Sequence, residues 1–446
     1  MRRPDPKVTV VGGGLAGCEA AWQLLTRGVP VLLVDIKPHQ RTPAHQSDDL
    51  AELVCSNSLK SDRLQNAAGL LKEEMRRLNS LIIRAADATR VPAGGALAVD
   101  REAFSAFVTR HIREHPLLTY QAREVTDIPE GPCIIATGPL TTASLCEKIS
   151  MLSDRAMLSF YDAAAPIVTA ESIDMGRVFR ASRYGRGDDY LNCPLDEETY
   201  LRFREALATA QTAPVHGFEE QHVFEACMPV EVLAKRGEMA LAYGPMRPVG
   251  LRDPATGKRP YANVQLRQED TQGQLYNLVG FQTRLTFGEQ KRVFGMIPGL
   301  ENAEYARFGV MHRNTFLSSP GFLDDLFRVI GREELFFAGQ LTGVEGYVES
   351  AASGLVCGLT MALTLAWHTP PHFPGTTALG ALCRHVSTPN RDYQPMRISF
   401  GLMDVLPERV RNKEQRYLQL SQRALEHIDA IIDNLPHNPH EVNVCS

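Results

Sequence analysis

The sequence predicts an α/β protein built on a Rossmann-like parallel sheet, interrupted by a second, mixed α/β unit. Three observations predict it: a glycine-rich strand–turn–helix at the N-terminus, a strand ending in Ala-Thr-Gly, and a late apolar strand leading into a helix of small residues. The first begins with Val8-Thr9-Val10-Val11, a short apolar run of β type, followed by Gly12-Gly13-Gly14-Leu15-Ala16-Gly17. A helical pattern from Leu15 to Arg27 stops at Gly28, and Val29 to Val34 is a second apolar strand ending in Asp35. Strand, glycine turn, helix, strand and acid follow in the order and spacing of a dinucleotide-binding unit. In such a unit Gly12 makes the tight turn, Gly14 admits a pyrophosphate to the backbone, and Gly17 lets helix and strand approach. The unpaired N–H groups at the helix start face the phosphates. Asp35 is placed to accept hydrogen bonds from a ribose.

Two distant segments favour FAD over NAD as the dinucleotide. Cys133-Ile134-Ile135-Ala136-Thr137-Gly138-Pro139 is a strand-to-turn element common in flavoproteins with two dinucleotide folds. Leu335-Phe336-Phe337-Ala338-Gly339-Gln340 is a buried-type strand, running through Gly343-Val344-Glu345-Gly346-Tyr347 into Ser350-Ala351-Ala352-Ser353-Gly354. In a glutathione-reductase-like FAD domain such a strand rejoins the first sheet, and the positive end of the following helix faces the flavin. The plainer reading of the small residues is a helix pair in close contact. The expected division is 1–165 and 330–446 for the FAD domain, with 166–329 inserted between them. In the insertion, Glu197 to Ala210 reads as a helix, and Met239 to Tyr243, Tyr261 to Leu266 and Gln274 to Val279 read as strands. Lys413 to Leu435 reads as a polar helix.

With 446 residues, 44% of them hydrophobic and 22% charged, the chain is long enough for two cores and too apolar for disorder. The apolar run Leu355 to Trp367, broken by Gly358 and threonines, falls short of a membrane span. With no apolar segment before Val8, the expectation is a cytoplasmic protein without a membrane partner. Nine scattered cysteines without a C-x-x-C pair argue against a disulfide framework and against a metal site. Cys18, Cys133, Cys146, Cys193, Cys357 and Cys383 read as core thiols, and Cys445 lies in the tail. A net charge of −5 gives no global attraction to nucleic acid, so an RNA partner must meet a local patch. Only nine of the 47 basic residues are Lys. Arginine suits phosphate and base contacts, although a G+C-rich coding sequence is the simpler account of the bias.

Several segments resemble the folate- and FAD-dependent tRNA (uracil-5-)-methyltransferase family (TrmFO). They are Leu53-Val54-Cys55-Ser56-Asn57-Ser58-Leu59-Lys60-Ser61, Phe179 to Gly185, Phe224-Glu225-Ala226-Cys227-Met228-Pro229-Val230-Glu231, Tyr276 to Thr283, Met311 to Phe316 and Tyr393 to Met396. The likeness spans nearly the whole chain. The related MnmG (GidA) wobble-uridine enzymes share the opening motif but carry a long C-terminal helical region for which this chain is too short. The resemblance implies transfer of a methylene from 5,10-methylenetetrahydrofolate to C5 of the T-loop uridine at tRNA position 54, releasing tetrahydrofolate. It also implies that reduced FAD supplies the electrons and NADH or NADPH regenerates it.

That chemistry asks for particular residues. Uracil C5 becomes nucleophilic only after a thiolate adds at C6, so the site needs a cysteine of lowered pKa and a base for the C5 proton. By resemblance Cys227 is the nucleophile. Cys55 follows as base, adduct partner or shield of the flavin, and the polar run after it is read as a helix start that lowers its pKa. Without the family, an inert buried thiol is the simpler reading of either. Glu225 and Glu231 are candidate bases, with a solvated carboxylate expected for each. His312 is the candidate for stacking on folate, with Arg284 and Gln282 as polar partners, and Tyr347 can touch either ligand. For RNA, Arg177, Arg180, Arg183 and Arg186 interleave with Phe179 and Tyr184, a pattern suited to phosphates and a splayed base but shared by any solvated stretch. The oligomeric state stays open, a monomer included. The rival readings are an MnmG-like enzyme, a flavin disulfide reductase using Cys55 and Cys227, and an RNA chaperone holding FAD structurally. The purified protein is expected to be yellow with a flavin absorption spectrum; a colourless preparation that takes up no FAD contradicts the flavoenzyme reading.

Overall fold

The computed structural model describes residues 5, 7–42, 44–152, 157–163, 165–213, 228–390 and 393–436, with the backbone alone described for 157–163 and 311–314. The chain opens with β1 (Val8–Val11), α1 (Leu15–Leu25), β2 (Val31–Asp35), β3 (Ser58–Ser61), α2 (Ala67–Arg77), α3 (Leu81–Ala88), β4 (Arg90–Val91) and β5 (Ala96–Val99). It continues through α4 (Arg101–Arg113), β6 (Leu118–Ala122), β7 (Cys133–Ile135), α5 (Ala143–Ser150) and β8 (Met157–Ala163). Next come β9 (Ile167–Thr169), β10 (Phe179–Arg180), β11 (Tyr190–Leu195), α6 (Glu197–Thr209), α7 (Val230–Arg236), α8 (Ala240–Tyr243) and β12 (Ala262–Gln268). The remainder is β13 (Leu275–Leu278), α9 (Phe287–Phe294), β14 (Tyr305–Arg307), β15 (Met311–Leu317), β16 (Leu335–Phe337), α10 (Tyr347–Leu365), α11 (Ala378–Ser387) and α12 (Lys413–Asp433).

The four apolar runs read from the sequence, joined by β6, form a five-stranded sheet in the order β16-β7-β1-β2-β6, every pairing parallel. A parallel sheet of such runs needs cover on both faces: α1 and α10 lie on one, and Leu145 and Ile149 of α5 with Leu317, Phe322 and Leu323 lie on the other. All of α1 is buried. α10 lies along it so closely that a Cβ on Gly354 would sit 2.2 Å from the Ala16 carbonyl oxygen, and one on Gly358 would sit 2.4 Å from that of Ala20. The successive contacts 354 to 16 and 358 to 20 run in the same direction, so the two helices are parallel. The small residues of α10 thus do pack a helix pair, as the plainer reading held. At 19 residues and mean hydropathy 1.5, α10 is long and apolar enough to cross a membrane, which amends the expectation for this stretch. It is 89% buried inside the protein.

A second sheet, β10-β11-β12-β13-β9-β14, is antiparallel throughout and carries its own core around Tyr200, Phe203, Phe281 and Phe294. The strands β8 and β15 pair antiparallel on either side of it in sequence. Three local expectations change. Met239 to Tyr243 is not a strand: Ala240–Tyr243 is one helical turn ending at Gly244, with Leu241 and Ala242 buried. A five-residue apolar run between turns has too few periods to separate the two states. Ser58–Ser61 is strand β3, paired with β5, so no helix starts there and none lowers the Cys55 pKa. Cys146 is only half-buried, whereas Cys18, Cys133, Cys193, Cys357 and Cys383 are core thiols. Gly354→Val is expected to force α1 and α10 apart and destabilise the protein by about 1–3 kcal/mol, measured by urea unfolding; wild-type stability would contradict the close-packing account.

Candidate functional site

The carboxyl ends of β1, β2, β7 and β16 open into one cleft, the position where open α/β sheets bind ligands. It encloses about 1140 Å³, the solvent at its mouth included. Gly12, Gly13, Gly14, Leu15, Ala16, Asp35, Ala136, Thr137, Gly138, Gly339, Gln340 and Tyr347, singled out from four separate stretches of sequence, all line it. Gly17 does not. It sits one residue deeper, where a Cβ would lie 1.8 Å from the Gly12 carbonyl oxygen, so its role is contact between turn and helix.

The geometry suits an anionic dinucleotide. Gly12 has φ +104°, and a Cβ there would strike the Ala136 carbonyl oxygen at 2.5 Å, which leaves glycine as the residue for the turn. A Cβ on Gly14 would meet no atom within 4 Å, so the backbone there is open to an approaching group. No side chain caps α1, and the N–H groups of its first turn have no intrahelical partner. The Asp35 carboxylate accepts from the Gly13 amide (2.5 Å) and the Lys37 amide (2.9 Å), which fixes its orientation and leaves lone pairs for hydroxyl donors. These features fit an FAD, with α1 against its phosphates and Asp35 against a ribose. Lys37, Thr42, His45 and Arg123 also line the cleft and were not singled out from the sequence. They sit in loops without a motif, although Lys37 stands two residues beyond Asp35. Burial pulls the His45 imidazole below its usual pKa, and neighbouring Lys37 adds to this.

At the rim stands Tyr347, the first residue of α10. Its hydroxyl oxygen accepts from the backbone amides of Cys55 (2.6 Å) and Ser56 (3.1 Å), tying the Cys55 loop to the helix start. Burial pushes the Tyr347 hydroxyl above its usual range, and the adjacent Cys55 adds to the shift. Cys55 itself is half-buried, and Val54 and Glu52 beside it line the cleft. Lys60, from the polar run after Cys55, pairs with buried Glu349 of α10 at 2.8 Å.

Cys227 and Glu225 lie outside the described residues. The chain on either side of 214–227 is anchored to one stretch: the Ala213 amide donates to the Arg284 carbonyl (2.8 Å), the Thr286 amide to that of Gln211 (3.1 Å), and the Val230 amide to that of Gln282 (2.8 Å). Gln282 and Arg284 do not line the cleft; they hold the ends of the Cys227 segment. Glu231 is buried rather than solvated, contrary to expectation. It accepts from the Thr283 hydroxyl (2.8 Å) and the Arg284 amide (2.9 Å), and burial raises its pKa. Those contacts make it a bracket for the same segment. His312 lies on β15 opposite Asp162 of β8, and its side chain is outside the described residues. Arg180 donates to the Tyr276 hydroxyl (3.2 Å), and Arg183 to Gln265 (3.0 Å) and the Val249 carbonyl (2.8 Å), so both are engaged by the second sheet. Phe179 is buried and cannot stack on a base, whereas Tyr184 is exposed with Arg186 over its ring.

Comparison with known proteins agrees with this geometry. A family model described as glucose inhibited division protein A (GidA) matches residues 7–368. A Listeria innocua protein named methylenetetrahydrofolate–tRNA-(uracil-5-)-methyltransferase TrmFO is 54% identical over 433 residues, 97% of this chain and 100% of that protein. A Bacillus subtilis protein of the same name is 55% identical over 426 residues, 95% and 98% of the two chains. The chain belongs to the GidA family and, in it, to the TrmFO group. Structures of Aquifex aeolicus GidA in two crystal forms superpose with TM-scores of 0.71 and 0.68 at 17% and 16% identity. They cover 98% and 96% of this TrmFO-group chain and 78% and 75% of the GidA chains, and they bear out the expected FAD-binding fold.

Tyr347→Phe removes the acceptor of two loop amides, a loss of about 1–3 kcal/mol to that contact. Faster hydrogen exchange at Cys55 and Ser56, with FAD still bound, is the expected result; unchanged protection would show that the hydroxyl does not hold the loop.

Proposed function

We propose that this chain methylates C5 of a uridine in tRNA, taking the carbon from 5,10-methylenetetrahydrofolate and releasing tetrahydrofolate. The observation that carries the reading is the FAD-type cleft with Cys55 and Tyr347 at its rim, in a chain 54% identical over nearly its whole length to methyltransferases of that name. We place the modified base at position 54 of the T-loop. NADH or NADPH is the reductant we assign, docking transiently, since no second glycine fingerprint is present. When bound and reduced, FAD supplies the hydride that takes a methylene to a methyl.

The chain's own residues divide the remaining work. Cys227 is assigned as the nucleophile at C6, held on a segment whose two ends are fastened to 282–286. Cys55 is assigned to the cleft side, as base or adduct partner. The Tyr347 hydroxyl fixes the loop that carries Cys55, and Asp35 with the first turn of α1 fixes the cofactor. His312, with Gln282 and Arg284 near the Cys227 segment, is kept as the folate contact, and Arg180 and Arg183 as RNA contacts of the second sheet. We take 1–165 and 330–446 as the cofactor domain and 166–329 as the insertion; the antiparallel pair β8–β15 brackets the second sheet, and Leu317, Phe322, Leu323 and Val329 pack with the first sheet, which favours a second boundary nearer β15.

An unmodified tRNA transcript incubated with methylenetetrahydrofolate and NADPH is expected to gain 5-methyluridine at position 54. A requirement for S-adenosylmethionine, or modification of the wobble nucleotide, overturns the proposal. Cys227→Ala is expected to abolish turnover, a loss of more than about 10³-fold, while FAD stays bound; retained activity moves the nucleophile elsewhere.

A further inference from the structure

Two arginines outside the cleft lining converge on the Cys55 loop from different parts of the fold. Arg267, on β12 of the second sheet, is only 7% exposed. Its Nε donates to Asn57 Oδ1 at 2.8 Å and its Nη2 to Ser56 Oγ at 2.8 Å, contacts spanning 210 and 211 residues of chain. Asn57, fully buried, donates from its amide nitrogen to the Val99 carbonyl (3.0 Å) and the Gln268 carbonyl (2.9 Å). From the other side Arg101, the first residue of α4, donates to the Leu53 carbonyl at 2.7 Å and pairs with Glu269 at 2.6 Å. Leu53, Cys55, Ser56 and Asn57 are therefore each held by Arg101, Tyr347 or Arg267.

Tying a loop to a sheet does not require a buried cation. Neutral donors make the same hydrogen bonds without the desolvation that a guanidinium suffers, and burial does work against the charge of Arg267. The groups that charge faces include first Glu269, its strongest electrostatic partner, and then, more weakly, Cys55. Arg101, Arg267 and half-buried Arg307 each interact electrostatically with Cys55. Tyr347 also acts on that thiol, Glu269 offsets Arg101 and Arg267, and Glu52 acts on Arg307. One carboxylate shared by Arg101 and Arg267, one of its oxygens buried with no hydrogen-bond partner among the described residues, leaves an excess of positive charge around the sulfur.

We propose that Arg267, seconded by Arg101, is a positioning residue of the reaction: it locks the Cys55 loop to the second sheet, whose β13 leads into the stretch that anchors the flanks of the Cys227 segment, and it favours Cys55 as thiolate. The proposal rests on the methyltransferase reading for the roles of the two cysteines. Its structural content stands apart from that reading.

The test uses the full-length FAD-bound enzyme, and reads alkylation of Cys55 by iodoacetamide across pH, resolved by peptide mass spectrometry, beside steady-state methylation. Arg267→Met is expected to move the alkylation midpoint of Cys55 up by about one pH unit. It is also expected to lower kcat by about 10-fold or more, with KM for tRNA and bound FAD per chain unchanged. Arg267→Lys, which keeps the charge but not the fork, is expected to restore the midpoint and only part of kcat. A wild-type midpoint and kcat in Arg267→Met overturn the proposal, and so does a kcat loss matched by lost FAD or a raised KM. Should Arg267→Met fail to fold, Ser56→Ala deletes one acceptor and leaves the charge in place. A several-fold drop in kcat at an unmoved midpoint then supports the lock, and full activity refutes it. Alkylation needs no RNA, so a wild-type enzyme that fails to methylate tRNA sinks the functional reading without touching this result.

Discussion

The fold depends on how closely α10 approaches α1. Gly354 and Gly358 bring the α10 backbone against the carbonyls of Ala16 and Ala20, closer than any side chain permits. Because the helices are parallel, both N-termini point the same way, and both border the cleft: Gly14 and Leu15 from one, Tyr347 and Ser350 from the other. Two helix starts at one site place two sets of unpaired N–H groups and two positive dipole ends where a dinucleotide's negative charge has to lie. Gly339, at φ +83° with its amide donating to the Ser353 hydroxyl, fits β16 to the same contact. A single residue with a side chain at 354 would loosen all of this together.

From that fixed edge the rest is built outward by polar contacts. Tyr347 takes hold of the Cys55 loop, Lys60 pairs with Glu349 in the first turn of α10, and Arg267 brings in the second sheet. The stretch 282–286, which follows β13 of that sheet, fastens both ends of the Cys227 segment, and Glu231 of α7 accepts from it. The Cys55 loop and the two flanks of the Cys227 segment are thus each fastened by contacts between residues far apart in sequence. Charge is handled by the same residues: the arginines that hold the Cys55 loop also set its electrostatic surroundings, so geometry and protonation are coupled at one point.

What could be read in advance follows from the range of the interactions involved. The glycine turn, Asp35, the Ala-Thr-Gly strand end and the late β16–α10 unit were legible because each is a short run whose pattern encodes one backbone geometry. Met239 to Tyr243 was misread because one turn of apolar residues has no period to measure. The polar run after Cys55 was misread as a helix start because strand pairing with β5, a contact made across the fold, outweighed local preference. Glu231 looked like a surface carboxylate because its partners, Thr283 and Arg284, are distant in sequence. Phe179 looked like a stacking ring until the second sheet covered it.

The sequence by itself determined the parallel dinucleotide-binding sheet, the family and the glycine turn, Asp35 and strand-end residues of the cleft, because these are written in contiguous motifs whose glycines and acids have few other uses. Only the tertiary structure decided which groups surround Cys55, that Gln282, Arg284 and Glu231 serve as anchors, and that Arg101, Arg267 and Arg307 belong near the site at all. Those roles depend on side chains meeting across the whole length of the chain, and hydrogen bonding at such separations leaves no periodic trace in the order of amino acids.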